Sequence, residues 1–262
     1  MRSVLEVRGL TKTFGAVTAA ADITLDIAED TVVGVIGSNG AGKTTFVNLV
    51  TGYLKPSAGT IGFRGRDITA LSPRQITRLG VCRSFQIPQL FDSLTAWENL
   101  QVGVDIVATG SGAFASSAGG KSPEAAVEEM LARFHLEEWR DAPAGTLPEG
   151  VRKLLDIAMA LVVKPQVLLL DEPTSGVSSE EKFGLMDLVL GAIRADRVTV
   201  LFVEHDMEIV RRYTQRLLAF YEGRIIADGP TAQALEDAGV RRHVLGDEPA
   251  GGTRPAPQER PC

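Results

Sequence analysis

Val32-Val33-Gly34-Val35-Ile36-Gly37-Ser38-Asn39-Gly40-Ala41-Gly42-Lys43-Thr44-Thr45 joins an apolar run to a glycine-rich loop and then to a lysine and two threonines. Residues 32–36 are nearly continuous in apolar character, the pattern of a strand buried on both faces of a parallel sheet. Residues 43–51 predict a short helix, ended by Gly52. Between strand and helix, Gly37 to Thr44 fits the phosphate-loop pattern G-x-x-x-x-G-K-S/T, placed where that chemistry requires it. Glycines let backbone N–H groups wrap phosphate oxygens, and a helix N-terminus adds partial positive charge. Lys43 would reach the β- and γ-phosphates and Thr44 would ligate Mg²⁺, so ATP and Mg²⁺ are the expected ligands. The loop lacks the G-x-G-x-x-G spacing of a dinucleotide site.

Outward from this stretch, strand-like and helical runs alternate, which predicts an α/β fold with much parallel sheet. Residues 167–170 and 198–203 read as two further buried strands. The first ends in Asp171-Glu172-Pro173, two carboxylates at a strand tip. Asp171 there would hold Mg²⁺ through water, and Glu172 would orient or deprotonate an attacking water. Between these strands lies a helix, with Ser179 as its expected N-cap. Residues 4–8 and 23–27 alternate apolar and polar side chains, as half-exposed edge strands do. From Thr95 to Leu161 only helical signals occur. Ser122-Pro123-Glu124 is a strong helix start, and the apolar run 151–163 stops before Pro165. Residues 103–121, rich in Gly, Ala and Ser, read as a flexible connection. The tail 246–262, with four prolines and three glycines, reads as disordered.

The chain has 262 residues, 44% hydrophobic, enough for a sizeable core. A net charge of −6 weighs against a nucleic-acid partner, which needs a basic face. Cys82 and Cys262 alone imply no disulfide scaffold, and reduced cytosolic thiols are the simpler reading. No run approaches the roughly 18 apolar residues that span a bilayer. A soluble chain is expected, with any membrane role coming through partners.

These residues resemble the nucleotide-binding subunits of ABC transporters, over roughly residues 4 to 245. The resemblance implies a P-loop NTPase core with an antiparallel edge subdomain, formed by residues 1–94 and 162–245, and an inserted helical subdomain, 95–161. It implies that Gln86, after the strand 81–85, touches Mg²⁺ and the nucleophilic water, and that His205 contacts the γ-phosphate. Phe14 matches an aromatic laid against adenine; a core aromatic is the alternative. Gly52-Tyr53-Leu54-Lys55-Pro56-Ser57-Ala58-Gly59-Thr60-Ile61, Gly80-Val81-Cys82-Arg83-Ser84-Phe85-Gln86 and Leu94-Thr95-Ala96-Trp97-Glu98-Asn99-Leu100 are similar to the ATPases of branched-chain amino-acid importers. Val244-Leu245-Gly246-Asp247 also looks like that group's C-terminus. Such machines pair two permease subunits with two ATPases and act with a solute-binding protein. This implies a peripheral position on the inner face of the cell membrane, with residues 86–99 forming the groove for a permease helix. ATP-driven closure of an ATPase dimer would power transport.

One stretch departs from the family. The signature loop, normally Leu-Ser-Gly-Gly-Gln, reads here Leu147-Pro148-Glu149-Gly150-Val151. That loop clamps the γ-phosphate bound by the partner subunit. Pro148 offers neither hydroxyl nor N–H, Glu149 adds negative charge, and Val151 lacks the amide. Ser178 also stands where the family has an acidic or amide residue. Either this chain completes its partner's site poorly, in a heterodimer of unequal sites, or the changes are tolerated variation. Two other functions compete: a non-transport ABC ATPase of translation or repair, and a scaffold that binds ATP without hydrolysing it.

Overall fold

In the computed structural model, which describes residues 2–109 and 122–246, the chain opens with two long strands, β1 (Ser3–Phe14) and β2 (Val17–Ala28). β3 (Val32–Gly37) leads through the glycine-rich loop into α1 (Lys43–Val50). β4 (Ala58–Phe63), β5 (Arg66–Asp67), α2 (Pro73–Leu79) and β6 (Val81–Arg83) follow. The chain then turns helical, with α3 (Ala96–Thr109), α4 (Pro123–Arg133) and α5 (Glu149–Val162). Strands and helices alternate again in β7 (Val167–Asp171), α6 (Lys182–Ala195), β8 (Thr199–Val203) and α7 (Met207–Tyr213). The hairpin β9 (Arg216–Tyr221) and β10 (Arg224–Pro230) leads into α8 (Thr231–Glu236).

Two sheets result. One is antiparallel, ordered β2-β1-β4-β5; the other is ordered β10-β9-β3-β8-β7-β6, parallel except for β10. The central strands of the second sheet bury both faces. Val33, Val35, Leu169, Leu201 and Val203 pack with α1 and the antiparallel sheet, while Val32, Ile36, Leu168, Leu170, Val200 and Phe202 pack toward α5, α6 and the other helices. Two apolar faces explain why these strands read as continuous runs and not as alternations.

Three local expectations need correction. Residues 4–8 do not form an edge, because β1 is hydrogen-bonded to β2 on one side and β4 on the other. A one-faced antiparallel sheet gives an inner strand the same alternation as an edge. The helix expected from Ser179 begins three residues later, at Lys182. Ser178 forms the preceding turn: its Oγ accepts from the Glu181 amide at 3.3 Å and donates to Glu181 Oε2 at 2.8 Å. Residues 103–109 are helical, since Val104 is buried and Gly103 sits where a Cβ would lie 3.7 Å from Val162. The rest of the supposed connection and the tail beyond Gly246 lie outside the described residues.

Gly42 closes the loop before α1 with φ +103°, and a Cβ there would lie 2.4 Å from the carbonyl oxygen of Ala19. Gly40 is also left-handed, at φ +78°, but open around its Cα. Gly42→Ala should therefore destabilise more than Gly40→Ala, whose cost is backbone strain alone, about 1–3 kcal/mol. Urea unfolding of the two variants checks this, and equal midpoints would contradict it.

Candidate nucleotide site

Parallel pairing sets Val35 beside Val203 and Asp171 beside Val203, so β3, β7 and β8 end at one edge of the sheet. The loop after β3 coils over that edge. Ser38 accepts from the Ala41 amide at 3.1 Å, and the Lys43 ammonium folds back onto the carbonyls of Gly37 (2.6 Å) and Ser38 (3.1 Å). Burial lowers the Lys43 pKa, opposed by the charges of Glu172 and Asp171. Thr44 is exposed and Thr45 half-buried at the helix start, while Asn39 and Gly40 crown the loop in solvent.

Glu172 is the hub. Its backbone is left-handed, at φ 50°, and its amide donates to Val203 O at 3.0 Å. This kink follows directly on the buried strand and turns the side chain into the site. Glu172 Oε2 accepts from Gln86 Nε2 at 2.7 Å, and Oε1 pairs with His205 Nε2 at 2.9 Å. Three residues far apart in sequence, Gln86, Glu172 and His205, thus meet in one hydrogen-bonded group. Asp171, buried at 6% exposure, instead turns one oxygen to Arg83 at 2.5 Å. Phe14 stands half-exposed at the end of β1, with Lys12 Nζ 5.0 Å from its ring centroid, which removes the core-packing alternative.

The stretch from Leu147 to Val151 begins α5. Leu147 is buried, and Pro148 is the N-cap without a side-chain cap. Glu149 and Gly150 occupy the first turn. A Cβ on Gly176 would lie 3.4 Å from Glu149 Cγ, so the signature stretch rests against the loop that follows β7.

Four charged residues were not singled out by sequence reasoning: Arg83, Lys153, Asp156 and Glu204. Lys153, buried on α5, donates to the Glu172 carbonyl at 2.9 Å. One turn on, Asp156 accepts from the amides of Gln89 (3.0 Å) and Phe85 (3.4 Å), on either side of Gln86. Glu204 accepts from the Thr174 amide at 3.0 Å and hydroxyl at 2.7 Å, fixing the turn beyond Glu172. The available signal was charge within apolar runs, since a charge is seldom fully buried unless paired.

A family model described as ABC transporter matches residues 20–175. The chain is 36% identical over 255 residues to the high-affinity branched-chain amino acid transport ATP-binding protein BraF of Pseudomonas aeruginosa, covering 94% of this chain and 99% of that one. It is 34% identical over 250 residues to LivG of Escherichia coli K12, which bears the same description, at 93% and 98% coverage. Among solved structures, an ATP-binding cassette of an ABC transporter in its ADP conformation superposes with a TM-score of 0.79, at 29% identity and covering 92% and 98% of the two chains. Together with the phosphate loop and the carboxylate strand tip, these likenesses define an ATP-binding cassette: the chain belongs to the ABC transporter family. Within that family it is the ATP-hydrolysing subunit of an importer.

Burial pushes the Asp156 pKa up to about 6, against the amides of Gln89 and Phe85 and the Lys153 charge, which pull it down. The unfolded chain releases this proton near its ordinary value of 3.8, while the folded chain keeps it to about 6. Asp156 therefore makes folding stability fall as pH rises from about 4 to about 6, by an amount on the order of 2–3 kcal/mol. Asp156→Asn should remove that contribution in denaturant titrations across the window. A variant curve parallel to the parent's would contradict it.

Proposed function

We propose that the chain hydrolyses ATP at a half-site formed by its phosphate loop, Asp171, Glu172, Gln86 and His205, and thereby drives import of branched-chain or related amino acids. The clamped Glu172 carries this reading, because a base must face the water it deprotonates from a fixed direction. In the proposed step, a water held by Glu172 and Gln86 attacks the γ-phosphorus in line with the β,γ-bridging oxygen. The water's proton passes to Glu172, the bridging bond breaks, and ADP leaves. His205 meets the γ-phosphate on the far side of Glu172. Lys43 exchanges the Gly37 and Ser38 carbonyls for phosphate oxygens, and Phe14 offers its open ring to the adenine.

The donor chemistry suits Mg²⁺. Thr44, Asp171 and Gln86 offer hydroxyl, carboxylate and amide oxygens, the hard ligands this ion prefers. Among the described residues, no group of three His, Cys, Asp or Glu side chains could hold a metal alone. When bound, Mg²⁺ would neutralise charge developing on the β- and γ-phosphate oxygens.

The proposed partners are two permease subunits, a second ATPase, and, through the permeases, a solute-binding protein. The relatives' names support the amino-acid solute. No helix among the described residues is long and apolar enough to cross a membrane. The proposed position is peripheral, on the inner face of the membrane. Ile87 and Phe91, at 73% and 51% exposure beside Gln86, supply an apolar surface for a permease helix. We read residues 95–161 as the helical subdomain that carries motion between that surface and the core, 1–94 and 162–245.

Glu172→Gln keeps the hydrogen-bonding shape but not the base, so turnover should fall at least about 100-fold while ATP binding persists. Unchanged turnover in this variant would remove Glu172 from the chemistry. Mild-detergent recovery of the chain from native membranes should bring two multi-span proteins and a second ATPase. Recovery of ribosomal or repair proteins alone would overturn the transport reading.

The signature stretch supports an unequal pair of sites. With Pro148 as N-cap, the first turn of α5 offers backbone amides without a capping hydroxyl, and Glu149 opposes a phosphate there. One lost charge-assisted hydrogen bond is worth about 1.5–3 kcal/mol, or tenfold or more in rate. The purified chain alone should hydrolyse ATP at least about tenfold more slowly than when paired with a second ATPase bearing Leu-Ser-Gly-Gly-Gln. Equal rates would show that the variation is tolerated.

A further inference from the structure

Arg83 ends β6 with its side chain only 9% exposed. One arm of its guanidinium holds Asp171 Oδ2 at 2.5 Å, and the other holds Asn48 Oδ1 at 2.5 Å. Its Phe85 neighbour covers it, with the guanidinium carbon 4.7 Å from the ring centroid. Asn48 lies on α1 four residues after Thr44, hence on the same face of that helix. A single buried cation therefore ties together the two elements that carry the metal-binding residues of the proposed site, α1 and the tip of β7.

We propose that Arg83 is a positioning residue for the metal ion that enters with ATP. By holding Oδ2, it fixes the rotation of the Asp171 carboxylate and leaves Oδ1 for a metal-bound water. By holding Asn48 with its other arm, it sets the spacing between Asp171 and Thr44. The carboxylate also has a counter-charge before nucleotide binds, so an isolated buried anion, which would be costly, is avoided. The planar fork matters as much as the charge, because lysine cannot engage two oxygens in fixed directions. This inference rests on the reading of Thr44 and Asp171 as the residues that hold Mg²⁺.

The test measures binding of a fluorescent ATP analogue over a range of Mg²⁺ concentrations, without turnover. Arg83→Lys, which keeps the charge and loses the fork, should raise the Mg²⁺ concentration at the midpoint about tenfold. Binding of the analogue without Mg²⁺ should stay near the parent's value. Asn48→Ala, which leaves the ion pair and removes the tether, should shift the midpoint the same way by a smaller factor. It also answers the question if Arg83→Lys fails to fold. Unchanged midpoints, or a lower one in Arg83→Gln, would overturn the proposal. In the latter case the cation would merely repel the metal. Asp171→Asn separates the two levels. An unmoved midpoint there overturns the metal-site reading itself, whereas a shift there with none in Arg83→Lys overturns the role of Arg83 alone.

Discussion

Parallel hydrogen bonding of β3, β8 and β7 is the constraint on which the rest of the molecule depends. It aligns Val35 with Val203 and Asp171 with Val203, so three buried strands end level at one edge. The chain must leave that edge through loops, and every residue assigned to nucleotide chemistry except Phe14 and the signature stretch sits on or beside one of them. The phosphate loop follows β3, Glu172 follows β7, His205 follows β8, and Gln86 follows β6. A slip of one residue in β7 would exchange Leu169 with Leu170 between the two core faces and turn Asp171 away from the site. Core packing and active-site geometry are therefore the same constraint, enforced by the two apolar faces of these strands.

The residues around that edge form two layers. Gln86 and His205 grip the Glu172 carboxylate, while Lys153 grips its carbonyl from α5. Asp156, one turn further along α5, holds the amides on both sides of Gln86. The helix that begins with the signature stretch is thus bonded to both segments that would hold the attacking water. A displacement of α5 caused by a phosphate at its N-terminus would reach Glu172 and Gln86 within two helical turns. Glu149 extends the same line, since its side chain lies against Gly176 in the loop after β7.

Much of this was legible in the sequence because it rests on local rules. The phosphate loop is contiguous, and its glycines are demanded by left-handed backbone at Gly40 and Gly42. The buried strands announce themselves by unbroken apolar runs. Arg83, Lys153, Asp156 and Glu204 were not legible as site residues, because each acts through a partner distant in sequence: Arg83 and Asp171 are 88 residues apart, Lys153 and Glu172 are 19. A charge inside an apolar run signals that a partner exists but does not say which. The start of α6 at Lys182 departs from the sequence pattern for a different reason. Ser179 has a capping side chain, but Ser178 and Glu181 close a hydrogen-bonded turn first, and the helix begins after it with Glu181 at the cap position and no side-chain cap.

Charge bears on the proposal that a divalent ion enters with the nucleotide. Around the strand tips stand three cations, Lys43, Arg83 and Lys153, and four carboxylates, Asp156, Asp171, Glu172 and Glu204. Arg83 is engaged by Asp171, and Lys153 by the Glu172 carbonyl, so Lys43 alone is placed on the phosphate loop. A triphosphate brought into this pocket adds further negative charge to groups that already carry a surplus of it. Backbone amides and the α1 N-terminus offset part of that repulsion through partial charges. The remainder is what the proposed Mg²⁺ would offset, as a cation that takes phosphate and carboxylate oxygens together as hard ligands.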